Sequence, residues 1–263
     1  MRHTRSLAAA IALCVFAAPA FAHDFPSLNA APPANIGISA ISPVFDFDGD
    51  GCLPSAGISR AGQQNGGLAA SGSITGGCRR SDFLNYSNTL HRYACINSGV
   101  DRYCVHFFSL YFLKDQATVF GGGHRHDWEH VAIWTRNGAT THAGYSAHGD
   151  LFNKPYAEVA KLNGRVKFVY HKDGVLTHAM RFASSSEPPE NPYGVWVLPS
   201  VASWYTLRGD GTMDNAAMRS RLNSFDYGSA TIPMKDAKFL SNINNYRPAG
   251  YPVFTQAAID SSQ

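Results

Sequence analysis

The run Gly123-His124-Arg125-His126-Asp127-Trp128-Glu129 packs carboxylates, imidazoles and an indole into seven residues. Asp127 and Glu129 stand two apart, so on a strand they project from one face, while Trp128 and His130 project from the other. His124 follows Gly121-Gly122-Gly123, whose backbone freedom lets its ring swing toward the same carboxylates. Asp115 ends an apolar run just upstream, and the intervening loop can fold it back over the site. Carboxylates converging with one imidazole at a solvent-facing strand end repel each other unless a cation binds. Oxygen-dominated ligation of this kind suits Mg2+, Ca2+ or Mn2+ that keeps several waters.

Other readings of the same residues stay open. His124 and His126 offer zinc two nitrogens, although no H-E-x-x-H helix accompanies them. A hydrated cation can also generate a nucleophile, so metal-assisted hydrolysis is an alternative. No serine elbow supports it, since Ser203 lies in Ala202-Ser203-Trp204. Taken singly, His126, His130, His142 and His171 read as ordinary packed or surface histidines. A second acidic run, Asp46-Phe47-Asp48-Gly49-Asp50-Gly51, has the opening spacing of a calcium loop. Its twelfth position is Gly57 where a bidentate Glu is wanted, so an acidic turn before a disulfide is an equal reading.

The elements that must position these residues are mostly strands. Thr89 to Ile96 and Tyr103 to Lys114 have strand composition, and the second is apolar on both alternating faces, as in a strand buried between layers. His130 to Trp134 is another strand, ended by the hairpin signal Asn137-Gly138. Further strands are expected at Arg165 to His171, Thr177 to Phe182 and Val195 to Leu198. One helix is predicted over Met213 to Asn223, with Thr212 as its cap. The fold class is mainly β (α+β), a β-sandwich with helical decoration.

The first residues form a charged start, an apolar run from Leu7 to Phe16 and an Ala20-Phe21-Ala22 end. This is the pattern of a secretory signal cleaved after Ala22, leaving residues 23–263 as a single domain. The formal charge of +3 includes Arg2 and Arg5, so it falls to +1 without the leader. That balance gives no reason to expect nucleic acid as a partner, and no Lys/Arg run argues for a polybasic membrane anchor. Export makes Cys52, Cys78, Cys95 and Cys104 candidates for two disulfides, with three connectivities on paper. The sequential pairs are favoured, because Cys95 and Cys104 bracket a turn-like stretch and Cys52 and Cys78 close a Gly/Ser-rich loop. Closing that loop is worth roughly 3 kcal/mol.

The heptapeptide resembles the signature of the necrosis- and ethylene-inducing-peptide-like proteins, the NLP cytolysin family. Leu110-Tyr111-Phe112-Leu113-Lys114-Asp115 resembles the family's aromatic strand, and Asn65-Gly66-Gly67-Leu68 with Gly76-Gly77-Cys78 its first disulfide loop. Tyr145-Ser146-Ala147-His148-Gly149 and Phe225-Asp226-Tyr227-Gly228-Ser229-Ala230 resemble later landmarks. The second cysteine pair and the Asp46, Asp48, Asp50 loop resemble the subgroup with two disulfides and an additional calcium site. The resemblance implies an antiparallel β-sandwich flanked by a few helices, similar to the actinoporin toxins of sea anemones and to fungal lectins. It further implies a secreted, monomeric toxin and not an enzyme. Such a toxin binds glycosyl inositol phosphorylceramide sphingolipids of plant plasma membranes and damages them, with no protein partner. By motif position it implies a Ca2+ or Mg2+ site at Asp115, His124, Asp127 and Glu129, with His148 and His178 as candidate headgroup contacts. Two features depart from the pattern. The loop between Asp115 and His124 is one residue longer, and Val175-Leu176-Thr177-His178 lacks the Trp that many members carry. A missing aromatic wedge weakens insertion at a membrane interface, which keeps open a non-cytotoxic glycan- or lipid-binding module.

Overall fold

The apolar run beginning at Tyr103 belongs to a strand longer than its composition suggests, β3 (Asp101–Thr118). Its fully buried side chains, among them Phe107, Phe108 and Phe112, feed cores on both sides of one sheet. The structure, a computed structural model, describes residues 24–263; the apolar leader lies outside the described residues. Besides β3 the strands are β1 (Val44–Phe47), β2 (Asn88–Ser98), β4 (Gly121–Arg136), β5 (Ala139–Ala147), β6 (Asp150–Pro155), β7 (Lys161–Leu162), β8 (Arg165–Lys172), β9 (His178–Phe182) and β10 (Ser200–Ser203). Three helices follow: α1 (Asn215–Ser224), α2 (Asp236–Asn245) and α3 (Gln256–Asp260).

Two sheets form the sandwich. The large one has the order β10-β2-β3-β4-β5-β6, and the small one joins β1, β8 and β7, with β9 also paired to β8. Most pairs are antiparallel, as hairpin connections dictate; β1–β8 and β10–β2 are parallel. Phe112 of the large sheet stacks on Tyr170 of the small one, ring centroids 3.7 Å apart. The opposite face of the large sheet carries Phe107 and Trp134, which meet Phe239 of α2 and Phe254 before α3. The molecule therefore has three layers, with two apolar cores sharing one central sheet.

Both sequential disulfides are present, Cys52–Cys78 and Cys95–Cys104. The second links residues directly opposite each other in the β2–β3 ladder. Several expectations are corrected. The stretch between Asp115 and His124 is a continuation of the β3–β4 hairpin to a Val119-Phe120 turn, because Gln116↔Gly123 and Thr118↔Gly121 keep the ladder closed. Helix α1 is capped by Asp214, not Thr212, its carboxylate accepting from the Ala217 N–H at 2.8 Å. Val195 to Leu198 forms only a single bridge, between Val197 and Phe45.

A carboxylate-floored cavity at the free edge of a central strand

Strand β5 pairs with β4 only from Val131 onward, so the half of β4 that carries the heptapeptide has a free edge. A cavity of about 490 Å³ opens along that edge, and Asp115, His124, Asp127 and Glu129 all line it. Strict alternation would separate them, since His124 and Asp127 lie an odd number of residues apart. The ladder passes from Phe112↔Asp127 to Lys114↔Arg125 with no Leu113–His126 pair between. At that break His126 adopts a positive φ of 64°. Its carbonyl accepts from His124 Nδ1 at 2.7 Å, and its own ring meets the Tyr111 hydroxyl at 2.7 Å. The register is the same on both sides of the break, so no residue is inserted, and the left-handed turn at His126 is where strict alternation fails. His126 is thus the structural device of the run.

The carboxylates are buried, not solvent-facing: Asp115 is 2 %, Asp127 5 % and Glu129 8 % exposed. Each is held by a neighbour. Tyr170 donates its hydroxyl to Asp127 Oδ2 at 2.9 Å, and Ser146 donates to Glu129 Oε2. The His178 backbone N–H donates to Asp115 Oδ1 at 2.7 Å, with His178 Nδ1 at 2.9 Å from the same oxygen. Burial pushes Asp127 well above the usual carboxylate range and the charge of Asp115 pushes it further, against the Tyr170 hydrogen bond. Glu129 rises for the same reasons, burial first and then Asp127, against the Ser146 hydroxyl. Asp115 Oδ2 lies 4.0 Å from His124 Nε2.

These are the groups that could hold a cation. Among the described residues no three His, Cys, Asp or Glu side chains close on one point as direct ligands. The donor set fits a hard ion that keeps part of its water shell and reaches some carboxylates through water. Buried carboxylates crowded together, with no Lys or Arg paired to them among the described residues, are what such an ion stabilises.

The remaining candidates separate by position. His148 sits at the rim with φ of 52°, its Nε2 2.9 Å from Asp173 Oδ2. His178 is buried, bonded to Asp115 and with Nε2 3.1 Å from the Asp50 carbonyl, and it stacks on Tyr170. It is therefore placed to orient Asp115 more than to meet a ligand. In the acidic turn, the Asp46 carboxylate accepts from the Glu190 and Asn191 backbone N–H groups and from Asn191 Nδ2 at 2.7 to 3.0 Å. Asp48 pairs with Arg181 at 3.1 Å, and Asp50 accepts from Lys172 N at 3.3 Å. Burial raises Asp48 to about 6 despite Arg181. The protein's own donors thus occupy oxygens that a calcium loop would supply. Tyr170 and Ser146, which sequence reasoning missed, hold the two central carboxylates. Only Ser146 had a signal, in the run Tyr145 to His148.

The family model described as necrosis inducing protein (NPP1) matches residues 38–246. NLP effector protein 10 of Phytophthora capsici is 29 % identical over 208 residues, covering 74 % of this chain and 76 % of its own. Necrosis-inducing protein NPP1 of Phytophthora nicotianae is 28 % identical over 255 residues, covering 91 % and 95 %. A structure described as "Toxin fold as basis for microbial attack and plant defense" superposes with a TM-score of 0.68 at 26 % identity, covering 84 % of this chain and 96 % of its own. NLPPya in complex with glucosamine gives a TM-score of 0.66 at 24 % identity, covering 89 % and 98 %, and so shares the fold. A match over most of the described residues, together with the sandwich and its two disulfides, makes this chain a member of the necrosis-inducing protein family.

Proposed function

We propose that the protein is a secreted cytolysin that holds a hydrated divalent cation, Ca2+ or Mg2+, at Asp115, His124, Asp127 and Glu129. Through that cation it captures glycosylated sphingolipid headgroups of the glycosyl inositol phosphorylceramide class at plant plasma membranes. The observation that carries the proposal is the convergence of three buried carboxylates on the floor of one open cavity. A bound cation relieves their repulsion and supplies open coordination positions at which sugar hydroxyls exchange with water. The chain's own residues orient the site: Tyr170 and Ser146 fix Asp127 and Glu129, and His178 fixes Asp115. NLPPya, which shares the fold, forms a complex with glucosamine.

Dye release from vesicles containing the sphingolipid, with and without chelator, tests the proposal. Release that chelation abolishes is expected; no release in either condition rejects a cytolysin.

A non-lytic binding module is the second reading, favoured by the loop before β9. Its tip exposes Val175 and Leu176, 86 % and 53 %, with no aromatic side chain to anchor at an interface. Binding to the same vesicles without dye release selects it.

A further inference from the structure

Four apolar side chains stand out from two turns: Val119 and Phe120 of the β3–β4 turn, 53 % and 98 % exposed, and Val175 and Leu176 of the β8–β9 turn. Both turns lie at one end of the sandwich. Phe112 of β3 stacks on Tyr170 of β8, and three residues further along Asp115 accepts from His178, which pairs with Lys172 at the end of β8. The two strands therefore run the same way from that stack and turn back beyond it, next to the cavity that Asp115 and His178 line. Exposed apolar residues scattered singly are ordinary, but several gathered at one end of a molecule mark a contact surface.

The β3–β4 turn is also built for uncharged surroundings. The residues from Gln116 to Gly123 include no Asp, Glu, Lys or Arg, and neither do those from Ala61 to Cys78. The two stretches pack together, since the Gly72 N–H donates to the Val119 carbonyl at 3.2 Å and the Leu68 N–H to the Leu113 carbonyl at 2.8 Å. Lys114, at the base of the hairpin, is buried and donates its ammonium to the Ser73 carbonyl at 2.6 Å and to Gln116 Oε1 at 2.8 Å. Side chains answer the polar backbone of the tip itself. Thr118 Oγ1 donates to the Gly121 carbonyl at 2.8 Å and accepts from the Phe120 N–H at 3.3 Å. Gln116 Nε2 donates to the Thr118 and Gly72 carbonyls at 2.8 and 2.7 Å. Water supplies such partners to an ordinary surface turn, whereas a turn that enters lipid has to bring its own.

We propose that Val119-Phe120 is a wedge that enters the interfacial layer of a lipid bilayer, with Val175 and Leu176 seated beside it. Phenyl and aliphatic side chains are at home at the boundary between headgroups and acyl chains. Two separate projecting tips suit a deformable surface, whereas a protein partner would need a matching pocket for each. Phe120 thus brings, from the β3–β4 turn, the aromatic side chain that the loop before β9 lacks. The wedge rests on the membrane reading above and names the side chain that enters the lipid.

Co-sedimentation of the protein in excess Mg2+ with phosphatidylcholine vesicles, with and without glycosyl inositol phosphorylceramide, tests the wedge. Phe120→Ser should partition about ten-fold more weakly than wild type, the loss expected when one buried phenyl group is removed. Val100→Ser, changed at the equally exposed β2–β3 turn at the other end of β3, should partition as wild type does. Phe120→Cys carrying an environment-sensitive fluorophore should be quenched by a spin label placed high on the lipid acyl chain. Sedimentation with an unquenched fluorophore, unchanged partitioning in Phe120→Ser, or no sedimentation on either vesicle overturns the wedge. A fluorophore that brightens on the vesicles without lipid quenching assigns the tip to a second copy of the chain and overturns it too. The headgroup reading fails separately: quenching on vesicles that lack the sphingolipid keeps the wedge and removes the sphingolipid requirement. Cation-dependent sedimentation on the sphingolipid vesicles without quenching does the reverse.

Discussion

At the scale of single residues, the heptapeptide divides its labour in a way its spacing only half discloses. Asp127 and Glu129 share a face, as two-residue periodicity requires, yet that face looks into the gap between two sheets and not out to solvent. The cost of burying them is visible in the upward push on both carboxyls, caused first by burial. Asp127→Asn and Glu129→Gln should therefore keep the fold and, in chelator, melt about 2–4 °C higher than wild type, since each removes about 1 kcal/mol of repulsion. The same variants should lose cation affinity by more than ten-fold. Thermal unfolding with and without Mg2+ checks both; a melting point that drops in chelator would show that these side chains are structural. Tyr170→Phe, which leaves Asp127 Oδ2 without its donor, should cost about 1 kcal/mol and weaken cation binding less than Asp127→Asn does.

At the scale of elements, the hairpin β3–β4 does most to build the site. Its strand character was legible from the aromatic run at Tyr103 to Leu113, and the facing of Asp127 against Trp128 from alternation alone. The convergence of Asp115 and His124 with them was expected from the flexible glycines and from the family resemblance, but its cause was not legible, because it depends on His126 in a left-handed conformation that no local signal marks. Nor was α2, which is rich in Asn and is held by Phe239 and Ile243 at the core, a tertiary contact. The acidic turn shows the opposite limit. Asp46, Asp48 and Asp50 have the spacing of a calcium loop, but spacing cannot disclose Asn191 and Arg181, which arrive from far along the chain. Gly123 offers a test at this scale. It has φ of 101°, and a Cβ there would overlap the Asp115 carbonyl. Gly123→Ala should cost about 1–3 kcal/mol in strain and misplace both Asp115 and His124. Loss of cation binding larger than the loss of stability, read by calorimetry and urea unfolding, is the expected outcome; unchanged cation affinity would free the hairpin from this role.

At the scale of the whole molecule, two cores share one sheet, and the two disulfides fasten separate places, one across the β2–β3 ladder beside α3 and one across the Gly-rich loop. Reducing Cys52–Cys78 frees a long Gly-rich loop and should lower stability by about 3 kcal/mol. A buried histidine pair sets the acid limit. His91 Nε2 lies 3.1 Å from His106 Nδ1, and burial holds His106 down to about 3 and His91 well below 6.5. The unfolded chain binds protons that the folded one refuses, so this contribution is complete above about 6.5 and is lost as the pH falls toward 3. Urea midpoints in excess Mg2+ should fall steadily across that window, and His106→Leu should flatten the slope. The central claim is that a cation on the acidic floor joins the protein to its headgroup, and vesicle co-sedimentation during a Mg2+ or Ca2+ titration tests it most directly. The bound fraction should rise with the cation to saturation, collapse on chelation and stay at background for Asp127→Asn. The same bound fraction in chelator as in excess cation would contradict it.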